Sequence, residues 1–193
     1  MAKLEREIEI KLKVTNAAAA RRLLQRAGFS VRRRRMFEDN IVFDTPELAV
    51  VRNGGLLRVR EVGRRATLTY KGPAMPGKYK SREELEMCVP DAQIAGAILN
   101  RLGFRPIFRY QKYRTEFYQL HVNGVVMLDE TPVGAFLELE GAPRWIDRTA
   151  RSLGFRESDY ITASYGALYR QFCDMKGVAP GNMVFAACDG LTR

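Results

Sequence analysis

Histidine is nearly absent from this chain. His121 is the single one among 193 residues, which argues against a histidine-based nucleophile triad and against a multi-histidine metal centre. Cysteine is scarce as well: Cys88, Cys173 and Cys188 are odd in number and show no CxxC spacing. Neither a disulfide framework nor a thiolate zinc site is indicated, and a reducing cytoplasm is the expected location. No apolar run reaches the length of a membrane span. Charge begins at Lys3, so a signal peptide is not expected. With nitrogen and sulfur ligands so few, a metal here is expected on oxygen ligands, which points to Mg²⁺ or Mn²⁺.

What the chain does have is charge set against apolar residues. Hydrophobic residues make up 46% and charged ones 28%, a balance that supports a packed core in one domain or two fused halves. The net charge of +10 suits a polyanionic partner. No helix-turn-helix, zinc finger or RNP pattern supports nucleic acid, and a small phosphorylated ligand fits the same balance.

Residues Glu7-Ile8-Glu9-Ile10-Lys11 set the pattern. Read as a strand, side chains alternate faces with a period of two. Glu5, Glu7, Glu9, Lys11 and Lys13 share one face, while Ile8, Ile10, Leu12 and Val14 fill the other and Arg6 is the exception. A solvated outer face would explain one such strand. The pattern recurs, however, in strand-like stretches over residues 37–43, 56–62, 66–71, 80–89, 108–118, 125–128 and 136–139. Helical stretches cover 17–27, with Thr15 or Asn16 as N-cap, then 91–102, 146–153 and 164–175. The first three end alike, at Gly28-Phe29, Gly103-Phe104 and Gly154-Phe155, which fits repeated units or simply a common helix ending. The basic run from Arg32 to Arg35 reads as a solvated loop or edge strand, and Trp145 as packing at a helix start. Residues 177–193 read as a loose tail with a docking segment at 184–187, after a domain covering 1–176.

The expected fold is α+β: an eight-stranded antiparallel barrel with a polar lumen, its apolar faces turned outward onto flanking helices. Closure also removes exposed strand edges. In such a lumen Glu7, Glu9, Asp129, Glu138 and Glu140 would crowd together, and a divalent cation is the natural neutraliser. Lys11, Arg58, Arg60, Lys71, Arg82, Lys112 and Arg114 would supply cations. A ring of them suits a linear chain of phosphates better than a single phosphate.

The ordered set of motifs resembles the CYTH family, the triphosphate tunnel metalloenzymes, which include class IV adenylyl cyclases, thiamine triphosphatases and inorganic triphosphatases. The family's ExExK signature matches Glu7-Ile8-Glu9-Ile10-Lys11. Leu56-Leu57-Arg58-Val59-Arg60, Thr69-Tyr70-Lys71-Gly72-Pro73, Ser81-Arg82-Glu83-Glu84, Lys112-Tyr113-Arg114, Leu128-Asp129 and the run from Gly134 to Glu140 follow in family order. ExExK alone is a weak signal and the ordered set a strong one. Two positions depart from the pattern: Asn40 stands where an acid is common, and Val42 where an aromatic often precedes Phe43-Asp44.

The resemblance implies that Glu7, Glu9, Asp129, Glu138 and Glu140 hold one or two divalent metals. It implies that the seven cations bind the triphosphate, with Lys11, Arg60, Lys71 and Arg114 the catalytic ones. Glu84 and Glu86 would orient the basic cluster. Metal-dependent hydrolysis of an inorganic or organic triphosphate (tripolyphosphate, a nucleoside triphosphate or thiamine triphosphate) is the expected activity. The alternatives are adenylyl cyclisation of ATP and a non-catalytic barrel that binds polyphosphate or RNA. No membrane partner is expected, and a homodimer is left open.

Overall fold

The structure, a computed structural model, describes residues 5–186. Lys3, Cys188 and the end of the expected docking segment at Ala187 lie outside the described residues. In chain order the elements are β1 (Glu5–Val14), α1 (Ala17–Arg26), β2 (Ser30–Asp44), α2 (Ala49–Arg52), β3 (Leu56–Val62), β4 (Arg65–Lys71), β5 (Lys80–Val89), α3 (Ala92–Arg101), β6 (Arg105–Tyr118), β7 (Gly124–Thr131), β8 (Gly134–Gly141), α4 (Pro143–Ser152) and α5 (Tyr165–Lys176).

The eight strands close into an antiparallel barrel in the order β1-β5-β4-β3-β2-β6-β7-β8. Mapping β1–β4 onto β5–β8 returns the same ring, so the two halves of the barrel are topological repeats. The repeated helix endings share one geometry: Phe29, Phe104 and Phe155 each donate a backbone N–H back to Leu24, Leu99 and Ala150, closing the last turn around a glycine with positive φ.

Local sequence explains the helix starts. The Asn16 side chain accepts from the Ala19 N–H and Asp91 from Gln93 and Ile94, each satisfying donors that the first helical turn leaves open. Helix α4 begins at Pro143, three residues before the expected start, because proline's fixed φ suits the first helical position. The outward faces of β1, β7 and β8 (Ile10, Leu12, Leu128, Leu137, Leu139) pack on Leu24, Ile146, Ala150 and Leu153 in the main core.

Two stretches differ from expectation and one settles an alternative. Arg32 to Arg35 form the edge-strand part of β2, their side chains exposed. There β2 pairs with β6 alone, and register shifts mark bulges on either side of Arg33. Strands β7 and β8 are longer than expected, because their paired ends run on to a Thr131–Gly134 turn. The described part of the tail is not loose: Met183 is fully buried, and it exchanges backbone hydrogen bonds with Arg109 and Gln111 on β6.

Trp145 packs as expected at the start of α4. Its ring lies over Gly124 and Gly141, which pair across β7 and β8. A Cβ on Gly124 would sit 2.5 Å from the indole ring. Gly124→Ala is therefore expected to destabilise the protein by about 1–3 kcal/mol, the range for forced overpacking, read as a lowered Tm.

Candidate active site

Alternation sends Glu7, Glu9 and Lys11 of β1 inward, where they meet inward residues of the other strands. The lumen holds a cavity of about 950 Å³. Ten cationic side chains and six carboxylates line it, an excess of positive charge that favours an anionic occupant. All of the expected site residues line this cavity except Asp129.

The carboxylates lie mainly on β1 and β8, and Glu7, Glu9 and Glu138 are each clasped by cations. Lys71 Nζ donates to both oxygens of Glu7 at 2.7 Å, and Arg82 Nε reaches Glu7 at 3.3 Å. Glu9 is 3.0 Å from both Lys11 and Lys80. Glu138 is 3.1 Å from Lys11 and 2.8 Å from Arg114. Burial works against ionisation of Glu138, yet Lys11 and Arg114 hold its carboxyl well below the usual range. The same contest leaves Glu9 depressed: burial opposes ionisation, but Lys11, Lys80 and Lys71 together outweigh it.

Glu7 and Glu140 go the other way. Burial and the neighbouring Glu9 raise Glu7. Burial, then Glu7 and Glu138, push Glu140 up to about 7. This end of the lumen thus carries negative charge that its own lysines do not neutralise, the condition under which a divalent cation fits. Among the described residues, no three carboxylates stand together as a ready-made cage. The acids fit such an ion in charge and in ligand type, but lysines now occupy Glu7, Glu9 and Glu138.

Across the barrel, β3 presents Arg58 and Arg60. They differ from Arg114 in having no carboxylate oxygen closer than 3.6 Å. Arg58 donates to Tyr110 Oη and Thr69 Oγ1, both at 3.1 Å, and its buried Nε has no partner among the described residues. Arg60 Nε donates to Asn40 Oδ1 at 3.0 Å. Glu84 lies 3.0 Å from Lys71 and Glu86 3.7 Å from Arg58, so both do lie against the basic cluster.

Asp129 is placed differently from the other acids. Its Oδ1 accepts from Arg114 Nε at 2.7 Å. Its Oδ2 accepts from Lys112 at 2.8 Å, Arg114 at 2.7 Å and the Tyr165 hydroxyl at 2.6 Å. It is fully buried, and the structure does not bring it to the cavity wall with Glu7, Glu9, Glu138 and Glu140.

Several site residues go beyond the expected set. Glu38 is buried beside Lys112, Arg60 and Arg114, which overcome burial and lower it to about 2. Lys80 pairs with Glu9. Tyr110, opposed by burial but facing Arg58, Arg60 and Lys112, is lowered to about 8. Tyr165 of α5 lies under Lys11 and Lys112, whose Nζ atoms are 5.2 and 5.0 Å from its ring centre. Glu38 and Asn40 stand two apart between Phe37 and Ile41, and that spacing was the available signal for them.

A model of the CYTH domain matches residues 5–163 of the chain. The chain belongs to the CYTH family. A protein of Methanocaldococcus jannaschii named as a putative adenylate cyclase is 30% identical to this CYTH chain over 134 residues, covering 69% of it and 75% of the relative. Among solved structures, a Pyrococcus horikoshii protein superposes with a TM-score of 0.70 at 26% identity, covering 82% of this chain and 96% of that one. A Hippeastrum protein, described as a putative adenylyl cyclase with a dominant triphosphatase activity, superposes with a TM-score of 0.65 at 19% identity, over 88% and 96% of the two chains. At that identity the likeness supports the CYTH tunnel fold. No helix among the described residues is long and apolar enough to cross a membrane.

The raised carboxyls give a pH dependence. Folded Glu140 keeps its proton up to about 7, whereas an ordinary glutamate releases it near 4.5. Between those values the folded state binds more protons than the unfolded one, so stability falls as pH rises through that window. Glu7 acts in the same direction. In EDTA, Tm is expected to decline from pH 5 to 7, and the slope to flatten in Glu140→Gln.

Proposed function

We propose that this tunnel is a divalent-metal-dependent triphosphatase. The observation that carries the proposal is the pairing of Arg58 and Arg60, which lack close carboxylate partners, with under-neutralised Glu7 and Glu140 in the same cavity. One group is ready for an anion and the other for a cation.

A polyphosphate entering the lumen would offer oxygens to Arg58, Arg60 and Arg82, which suit bidentate contact, and to Lys11, Lys71 and Lys80 as point charges. Lysines drawn to phosphate release the carboxylates that they now hold. Glu7, Glu9, Glu138 and Glu140 would then hold Mg²⁺ or Mn²⁺, so substrate and metal assist each other's entry. When bound, the ion would supply Lewis-acid stabilisation of phosphoryl oxygens. Lys11, Arg60, Lys71 and Arg114 would align the chain and balance the charge that builds on the reacting phosphoryl group. Asp129, with both oxygens occupied, would hold Lys112 and Arg114 in place.

Tripolyphosphate incubated with Mg²⁺ or Mn²⁺ is expected to release orthophosphate. EDTA, Glu7→Ala and Glu138→Ala should each abolish the release. Binding without turnover, indifferent to metal, would instead indicate a non-catalytic polyphosphate receptor.

A second reading is cyclisation of ATP to cyclic AMP and pyrophosphate. The apolar mouth of the cavity, lined by Val42, Leu56, Ile107 and Phe108, favours it, because cyclisation needs the nucleoside held in place. Mass analysis of the products from ATP separates the two: orthophosphate supports hydrolysis, and cyclic AMP with pyrophosphate defeats it.

A further inference from the structure

The two halves of the barrel repeat, but the helices outside them do not. Helix α1 packs on β7 and β8, and α3 packs on the corresponding β3 and β4. Beside α1, helix α4 covers the outward faces of β8 and β1, where Ile10, Leu137 and Leu139 are fully buried. The corresponding strands are β4 and β5, and no counterpart of α4 covers them among the described residues. Leu85 pairs with Tyr70 across this face, and Met87 lies two residues further along β5. All three are exposed.

Helix α3 borders this bare floor and turns an apolar flank toward it. Gly96 faces Phe43 on β2, since a Cβ there would meet the Phe43 ring at 3.3 Å. Two residues turn a helix by about 200°, so Ile94 and Ile98 face the other way, toward β4 and β5. Leu102 continues the stripe one turn on. These three side chains are 55 to 69% exposed. Wall and floor together make an apolar corner with on the order of 600 Å² of exposed surface, the upper end for the largest apolar patch on a monomer. It is most of the ~800 Å² that each partner gives to an interface of standard size.

We propose that a second copy of this chain fills the corner, in a two-fold dimer whose axis runs along α3. A second copy brings what the corner lacks: the floor needs a helix, and the flank of α3 needs an apolar surface to cover it. Rotation about such an axis lays each α3 in the other copy's corner. The two Ile94-Ile98-Leu102 stripes then face each other, and the outer side of each helix lies on the floor of the other barrel. A contact of this kind uses the same patch on both copies and closes at two. Charge at the rim agrees with it. Arg101 near the end of α3 and Glu83 near the start of β5 are both exposed and lie toward the same end of the barrel. An axis along α3 keeps like ends together, so each arginine meets the glutamate across the interface. The lumen is on the inner face of these strands, and the contact does not depend on what the lumen binds.

Sedimentation equilibrium over a hundredfold range of protein concentration tests this. The wild type is expected to reach twice the 22.0 kDa of one chain. Ile98→Glu and Met87→Lys each place a charge in the dry contact and should raise the dissociation constant at least a hundredfold. Both side chains are exposed in the single chain, so each variant should keep the circular dichroism spectrum of the folded protein while it sediments as a monomer. Leu120→Glu alters an equally exposed residue between β6 and β7, on the opposite side of the ring, and should leave the dimer intact. Arg101→Glu and Glu83→Arg should each weaken association several-fold, and the two together should restore it. A wild type that stays monomeric throughout overturns the proposal, and so does a dimer that Ile98→Glu and Met87→Lys leave unchanged. A double charge swap no tighter than either single variant overturns the arrangement about α3.

Discussion

Arg60→Ala is expected to lower kcat/KM for a triphosphate by roughly 10²- to 10³-fold, the usual loss when one donor to a developing oxyanion is removed. Stability should change little. The Arg60 side chain is 17% exposed, against 2% for Lys112 and 9% for Arg114, so its removal uncovers little. Its nearest acid, Glu38, keeps Lys112 at 3.5 Å, and Lys112 is the cation that contributes most to keeping Glu38 ionised. The cost in folding is about 1 kcal/mol, set by the buried Asn40 Oδ1, which loses its Arg60 donor. Arg60→Lys should recover part of the rate, because a point charge replaces a fork that can grip two oxygens. Steady-state kinetics and a melting curve on the same preparation decide the matter. Near-wild-type kcat/KM in Arg60→Ala would show that β3 does not touch the reacting phosphates.

That separation of function from stability was only partly legible in the residue order. The inward faces of β1, β3, β5 and β8 were, because charged residues spaced two apart leave few alternatives once eight strands must close. One helix cap was legible too: Asn16, one of two candidates, accepts from the Ala19 N–H. The Asp129 network was not. Tyr165 reaches it from α5, a helix with no period-two register to any strand, so nothing local announces the 2.6 Å hydrogen bond. The mouth was equally hidden. Asp44 sits at the end of β2 like any turn aspartate, and only the folded loop shows that it organises backbone six and seven residues further on. Charge inversion between the two half-barrels also needed the ring order. β2 with Glu38 corresponds to β6 with Lys112, and β4 with Lys71 corresponds to β8 with Glu138.

Asp129→Ala should produce the largest loss of stability of any single lumen substitution, about 3–5 kcal/mol, or a fall in Tm on the order of 10 °C for a chain of this size. The reason is what remains behind. Lys112 is 2% exposed, and its other acid, Glu38, is 3.5 Å away, too far for a good hydrogen bond. Arg114 keeps Glu138 at 2.8 Å but loses two of its donor contacts. The Tyr165 hydroxyl, buried and donating to Asp129, is left without its acceptor. Asp129→Asn keeps an acceptor oxygen while removing the charge, so it should fall between wild type and alanine. Tyr165→Phe deletes a single hydrogen bond and should cost about 1 kcal/mol. This ordering also tests the division of labour among the acids. If Asp129 anchored a metal and not its two cations, the metal-free alanine variant would melt like the wild type, and only Mg²⁺ affinity would suffer. Steep destabilisation in EDTA is the result that an acid already saturated by lysine, arginine and tyrosine must give.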